Sequence, residues 1–295
     1  MGEPVIEIAN LSRIYGAKKA LDAVNLRVER GAVAGLLGAN GAGKTTLIKH
    51  VLGLLRAQEG SVKVFDRDPV EDPVGVLSKI GYLGEDSDLP AWLRVKELLR
   101  YSAAFRPGWD ASYADSLISQ FGLDLQARLS NLSKGQRARA GLTVALAFRP
   151  EFLLLDEPSS GLDPIVRRDV LGAIIKTISQ EGRTVLFSSH LLSEVEQVCD
   201  RIVMLSGGQI VLDGNLDEIK GSHYQISVRW PERKVNPPKI EGAVGWQEVG
   251  NEWKALWRGE AHIIQAETAA RGAHLTIREA TLDEIFVGLA GGCRI

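Results

Sequence analysis

The stretch Gly38-Ala39-Asn40-Gly41-Ala42-Gly43-Lys44-Thr45 constrains this chain more than any other. It fits the pattern G-x-x-x-x-G-K-[ST]. An apolar run, Val33–Leu37, leads straight into it, and a helical pattern of Leu47, Ile48, Val51, Leu52 and Leu55 follows. Strand, glycine-rich turn and helix in that order predict a backbone wrapped around a polyphosphate, with its N–H groups pointing inward. The helix N-terminus adds a dipole that favours an anion. Lys44 is expected to reach the β- and γ-phosphates, and the Thr45 hydroxyl to ligate Mg2+. The loop leaves the nucleotide and the chemistry open, because kinases, GTPases and motor ATPases share it.

The sequence around this loop reads as α/β up to about residue 220. Val5–Ile8, Val33–Leu37, Phe152–Leu155, Thr184–Phe187 and Ile202–Leu205 have the character of strands, and the last four are apolar on both faces, as in a covered sheet. Asp163–Pro164 predicts a helix start, with an N-cap residue followed by proline. Val170, Leu171, Ile174, Ile175 and Ile178 then follow the helical period until Gly182 stops it. Between about Glu85 and Ser133 no strand signal stands out. Val95–Ala104 and Tyr113–Phe121 read as helices broken at Pro107–Gly108, which predicts a helical insertion.

After Gly221 the texture changes. Tyr224, Ile226, Val228 and Trp230 alternate with polar residues as in a half-buried strand, and Pro237–Pro238 mark a loop. Ala261–Ala270 reads as a helix, His274–Ile277 as a strand and Thr281–Leu289 as a terminal helix. Residues 221–295 are therefore expected to form a small α+β domain, and 295 residues in all suit about two domains. Trp230, Trp246, Trp253 and Trp257 lie in this part and read as a core of large side chains.

Two further apolar runs end in polar residues that suit a phosphate site. Phe152-Leu153-Leu154-Leu155 is followed by Asp156-Glu157, and Thr184–Phe187 by Ser188-Ser189-His190. In an open α/β sheet, ligands sit outside the carboxyl ends of the strands. Asp156 is expected to hold Mg2+ through its water shell, and Glu157 to polarise an attacking water. His190 is expected at the same edge, in contact with the γ-phosphate.

Composition excludes several other classes. No apolar run approaches the ~18–20 residues needed to cross a bilayer, and the N-terminus, with Glu3 and Glu7, lacks the pattern of a secretory signal. Lys plus Arg number 35 against 37 Asp plus Glu, a formal net charge of −2, which argues against binding nucleic acid by charge alone. Cys199 and Cys293 form no disulfide framework or metal cluster, and read as incidental thiols in a reducing, cytoplasmic compartment.

Leu132-Ser133-Lys134-Gly135-Gln136, just before a helical segment, resembles the LSGGQ signature of the ATP-binding cassette (ABC) ATPases. Other matches keep that family's order. Tyr15 stands where an aromatic side chain stacks on adenine. Gly38–Thr46 resembles the Walker A loop, Leu153–Glu157 the Walker B strand, Ser160-Gly161-Leu162-Asp163 the D-loop and Ser189-His190 the switch histidine. The resemblance covers about residues 4–220. It implies a P-loop NTPase fold of ABC type: a RecA-like core with an antiparallel β edge and a helical subdomain at about 85–135. It implies ATP bound with Mg2+ by Tyr15 and by Gly38, Ala39, Asn40, Gly41, Ala42, Gly43, Lys44, Thr45 and Thr46. By the same resemblance Ser133, Gly135 and Gln136 contact the ATP of a second cassette, and Asp163 crosses between the two.

Two positions depart from the family pattern. Lys134 replaces the first glycine of the signature and is expected to face solvent. Glu85, in Gly81-Tyr82-Leu83-Gly84-Glu85, stands where the family usually has glutamine as a Mg2+ ligand. With one cassette and no membrane span, the resemblance implies a transporter subunit that pairs with a second cassette and a separate membrane permease. The groove near Glu85–Val95, with Asp86, Asp88, Leu89, Pro90 and Trp92, is the expected docking surface, and the chain is then peripheral on the inner face of the cell membrane. Thr281-Leu282-Asp283-Glu284-Ile285-Phe286 resembles the tail of exporter cassettes that pair with ABC-2 type permeases. The alternative is a soluble ABC ATPase of DNA repair or translation, which usually carries two cassettes or a long coiled coil.

Overall fold

The computed structural model describes residues 3–85, 89–230, 236–259 and 273–290. The chain divides into two compact units, one up to Ile210 and one from Val211. The elements of the first unit are β1 (Pro4–Tyr15), β2 (Lys18–Glu29), β3 (Val33–Leu37), α1 (Lys44–Val51), β4 (Glu59–Val64), α2 (Pro73–Leu77), β5 (Ile80–Leu83), α3 (Val95–Phe105), α4 (Ala111–Phe121), α5 (Lys134–Leu146), β6 (Phe152–Asp156), α6 (Pro164–Glu181), β7 (Thr184–Ser189), α7 (Leu192–Val198) and β8 (Arg201–Ser206). Strand β9 (Gln209–Asn215) crosses the division.

Every residue of β3, β6 and β7 is buried. Such strands have no solvent face and must be covered on both sides, which suits a parallel sheet. They form one, in the order β5-β6-β7-β3-β8 with all pairings parallel. A second, antiparallel sheet runs β2-β1-β4. Leu36, Leu47, Ile48, Phe152 and Leu186 join Ile6, Leu11, Leu21 and Val64 in one buried cluster.

The expected strand at Val5–Ile8 extends to Tyr15, and β2, β4 and β5 carried no signal read from the sequence. Register shifts along β1 and β2 break the period-two alternation of side chains, so apolar residues do not alternate cleanly. The helical segment is present as α3 and α4, with α5 contacting both. Helix α4 begins at Asp110, whose Oδ1 accepts from Tyr113 N at 2.9 Å, and ends at Gly122 in the left-handed region.

The second unit contains α8 (Leu216–Ser222), β10 (His223–Arg229), β11 (Ala243–Val249), β12 (Glu252–Arg258), β13 (His274–Glu279) and α9 (Leu282–Ala290). Its four strands form an antiparallel sheet in the order β11-β12-β10-β13. Trp230 and Trp257 are buried with Ile226, Val228 and Ala255, and Trp246 and Trp253 pack against them, so the tryptophans do form a core. Trp257 Nε1 donates to Glu241 O at 3.0 Å, which satisfies its polar end. The helix expected at Ala261–Ala270 and Cys293 lie outside the described residues. Cys199 is buried, and burial pushes its thiol well above the ordinary range.

Phe152 is fully buried at the amino end of β6, away from the strand's carboxyl end. Phe152→Ala is expected to cost about 3–5 kcal/mol of stability, read by urea unfolding, with nucleotide affinity unchanged in the folded fraction.

Candidate nucleotide site

Parallel pairing aligns the carboxyl ends of four neighbouring strands. Leu83 of β5 pairs with Leu155 of β6, Asp156 with Ser188 of β7, and Ser189 with Leu37 of β3. The segments that follow carry Glu85, Asp156-Glu157, His190 and the glycine-rich loop. One sheet edge thus collects residues that are far apart in the chain, at the place where open α/β sheets bind ligands.

The glycine-rich loop ends at Gly43, the N-cap of α1, with φ at 114°. A Cβ there would lie 2.5 Å from Ala20 O, so glycine is required by both space and conformation. Helix α1 has no side-chain cap and no acidic residue in its first turn. By contrast, α4 and α5 are capped by Asp110 and Ser133. The first N–H groups of α1 are therefore left for an external acceptor, and the dipole favours an anionic one.

Lys44, the first residue of α1, is buried. Its ammonium donates to Gly38 O at 2.6 Å and sits 3.1 Å from Glu157 Oε1. Glu157, also buried, accepts no hydrogen bond at Oε1, so its contact with Lys44 is an ion pair only. The other oxygen, Oε2, lies 2.6 Å from His190 Nδ1. The Glu157 backbone has φ at 48°, an uncommon conformation for a non-glycine residue, and one met often at functional sites. Asp156 is buried beside it, and its Oδ1 accepts from Ser188 Oγ at 2.6 Å. Ser188 Oγ in turn accepts from Glu157 N at 3.1 Å. Burial pushes the Asp156 carboxyl above the usual carboxylate range; Ser188 opposes this, and the charges of Glu157 and Glu85 add to it.

A cleft of about 440 Å³ opens over Lys44 and Glu157, lined by Tyr15, Lys18, Ala20, Ala39, Asn40, Gly41, Gly43, Lys44, Thr45, Thr46, Glu85 and Glu157; Asp156 and His190 adjoin Glu157 without lining it. It brings most of the loop residues singled out in the sequence together with Tyr15, which is 45% exposed with the Arg13 guanidinium 4.8 Å from its ring centre. Gly38 and Ala42 are buried in the loop itself. Glu85 Oε1 accepts from Ser160 Oγ at 3.1 Å. Among the described residues no group of three or more His, Cys, Asp and Glu side chains gathers as a metal site. The oxygen donors at this edge, the Thr45 hydroxyl and the Asp156 and Glu85 carboxylates, are hard ligands of the kind Mg2+ takes.

Ser133, Gly135, Gln136 and Asp163 do not line the cleft. Ser133 Oγ accepts from Gln136 N at 3.2 Å, and Gln136 Oε1 from Ser133 N at 3.0 Å, a reciprocal cap on α5. Gly135 is buried against α6, where a Cβ would lie 2.4 Å from Val166 Cγ1. Asp163 Oδ1 accepts from Ile165 N and Val166 N, both at 3.1 Å, and starts α6 as expected. Lys134 is exposed, but its ammonium lies beside Gly161: a Cβ on Gly161 would be 2.7 Å from it. Lys18 and Ala20 of the cleft were not read from the sequence, because β2 itself was not. Ser188 was also missed: its role as a bridge depends on the β6–β7 pairing.

Comparison with known proteins gives a consistent result. A family model described as ABC transporter matches residues 21–160. The bacitracin transport ATP-binding protein BcrA of Enterococcus faecalis is 36% identical over 82% of this chain and 78% of its own length. The daunorubicin resistance ATP-binding protein DrrA3 of Streptomyces coeruleorubidus is 32% identical over 100% of this chain and 98% of its own. Among solved structures, the ATP binding subunit of an ABC transporter superposes with a TM-score of 0.67 at 29% identity, covering 74% of this chain and 92% of that one. The chain is a member of the ABC transporter family, an ATP-binding subunit built on the ABC-type P-loop NTPase fold.

Proposed function

We propose that this chain hydrolyses ATP with Mg2+ at the Lys44–Glu157–His190 cluster and powers export through a separate membrane permease of ABC-2 type. The observation that carries this reading is a buried carboxylate held between an ammonium and an imidazole, facing the uncapped start of a helix. The relatives' names add transport and resistance to that chemistry.

On this reading Tyr15 stacks on the adenine. The backbone of residues 38–46 wraps the phosphates, and Lys44 exchanges its contacts with Gly38 O and Glu157 for the β- and γ-phosphate oxygens. Thr45 and Asp156 would hold Mg2+, with Glu85 as a further candidate ligand. Bound there, the ion would neutralise charge developing on the phosphates. Glu157 accepts a proton from the attacking water, whose oxygen bonds to the γ-phosphorus as the bond to ADP breaks. His190 holds Glu157 through Oε2 and approaches the γ-phosphate.

The signature is assigned to the ATP of a second cassette, most simply another copy of this chain. Ser133 Oγ already accepts a hydrogen bond from Gln136 N, and its proton is free to donate to a phosphate oxygen. Gly135 and Gln136 lie in the first turn of α5, and Asp163 is assigned to the boundary between the two cassettes. An ATP that bridges them has more contacts in the closed state and so draws them together; its hydrolysis releases them. Leu89, Pro90 and Trp92, the last 74% exposed, are assigned to the permease contact, while Asp86 and Asp88 lie outside the described residues. Residues 1–220 form the cassette and 221–295 an accessory domain in this account. The chain acts at the inner face of the cell membrane, and nucleic acid is not a partner.

Glu157→Gln is expected to retain ATP binding and to lower turnover by at least about 100-fold; turnover equal to wild type would remove Glu157 from its role. Lys44→Ala is expected to weaken ATP binding itself, measured by titration calorimetry. Chelation of Mg2+ by EDTA is expected to stop turnover, and added Mg2+ to restore it. Purification of the tagged chain from detergent-solubilised membranes should recover a multi-span membrane protein in near-equal amount, whereas recovery of ribosomes or the chain alone would refute the transport reading.

A further inference from the structure

Glu194 has no part in the chemistry above, yet it is one of the most deeply buried acidic groups among the described residues, 2% exposed. A buried carboxylate is costly unless its oxygens are hydrogen-bonded and its charge is paired. Both conditions are met here. Oε1 accepts from Ser159 Oγ at 2.6 Å, and Oε2 accepts from Ser189 Oγ at 2.8 Å. Arg167 Nε, on α6, lies 3.5 Å from Oε1.

The positions of the two donors matter most. Ser159 is two residues after Glu157, in the segment leaving β6. Ser189 ends β7 and directly precedes His190; its Oγ also accepts from Leu191 N at 3.0 Å. One carboxylate therefore joins the two segments whose side chains meet in the 2.6 Å contact between Glu157 and His190. Glu194 itself is firmly carried. The neighbouring Val195 packs so closely on β3 that a Cβ on Gly35 would lie 2.4 Å from Val195 Cγ1 and 3.1 Å from Cys199 Sγ. Helix α7 thus rests on the strand that feeds the phosphate loop. Ser160, next to Ser159, donates instead to Glu85, so two successive hydroxyls tie this segment to helix α7 and to the end of the β5 segment.

We propose that Glu194 is a positioning residue for ATP hydrolysis: by clamping Ser159 and Ser189 together, it holds Glu157 and His190 in register over the phosphate loop. This rests on the reading of Glu157 as the group that activates water. Glu194 is buried and does not line the nucleotide cleft, so its loss should change the rate of the chemical step and spare nucleotide binding. A glutamine at 194 keeps the shape but offers one acceptor oxygen where two serine hydroxyls need two.

The test measures kcat, KM for ATP, equilibrium ATP affinity and thermal midpoint on the full chain. The variants are Glu194→Gln, Ser159→Ala, Ser189→Ala, the double serine variant and the triple variant, with Glu157→Gln as control. The account expects Glu194→Gln to lower kcat by about 10- to 100-fold, as misalignment of reacting groups does, with KM and ATP affinity within about twofold of wild type. The double serine variant should fall similarly, and the triple variant should be no worse than either, because all remove one clamp. An unchanged kcat, a loss of ATP affinity matching the loss of kcat, or fully additive effects would each overturn the proposal. If Glu194→Gln fails to fold, the two single serine variants carry the same test, since each must lower kcat alone and the two must not add. A Glu157→Gln variant with wild-type turnover would overturn both readings; an inactive Glu157→Gln beside a normal Glu194→Gln would overturn this one alone.

Discussion

Lys44 and Glu157 form a buried ion pair at the carboxyl edge of the sheet, each side chain only 7% exposed. Removing two such charges from water costs several kcal/mol per ion, so the pair depends on each partner neutralising the other's charge and on further contacts. Gly38 O takes part of the ammonium, and His190 takes the second carboxylate oxygen. Much of the surrounding architecture serves to hold these few groups together. The fully buried strands β3, β6 and β7 fix their register, and Glu157, just past the end of β6, departs from the extended conformation with a positive φ. A polyphosphate entering beside α1 offers Lys44 a stronger partner than a carboxylate. On the proposed reading Glu157 is released toward the attacking water at the moment substrate binds.

The parts of this arrangement that were legible in the sequence share a physical cause. Strands covered on both faces have to be apolar throughout, so Val33–Leu37, Phe152–Leu155 and Thr184–Phe187 stood out as runs, and the polar residues ending them stood out as a site. Proline after an N-cap aspartate at 163 and glycine at 182 marked α6 for equally local reasons. The illegible parts depend on tertiary pairing. Strands β1 and β2 carry bulges that scramble alternation, and in mostly exposed β11 a register shift between Val244 and Gln247 does the same to its core-facing Ala243 and Trp246. Lys18 and Ala20 reached the cleft only through β2. Ser188, Ser159 and Glu194 are an ordinary pair of serines and a helix glutamate until the β6–β7 pairing brings their segments together.

The signature segment shows how one short sequence meets two demands. Ser133 and Gln136 cap α5 reciprocally, and Gly135 is small because Val166 packs directly against it. These are requirements of the cassette's own packing, independent of any second subunit. The same cap leaves the Ser133 proton and the start of α5 available to an anion, which is what the proposed contact with a neighbouring ATP requires. Lys134 fits this division: it sits at an exposed position where packing does not require glycine, with its ammonium beside Gly161 of the segment leading into α6.

On the proposed reading ATP is both the substrate of Glu157 and the bridge between two cassettes. Analytical ultracentrifugation of the Glu157→Gln chain, with and without ATP and Mg2+, tests it most directly. The account predicts a monomer without nucleotide and a stable dimer with ATP and Mg2+, while the wild type under the same conditions returns to monomer as its ATP is consumed. A Glu157→Gln chain that binds ATP yet remains monomeric would contradict the account.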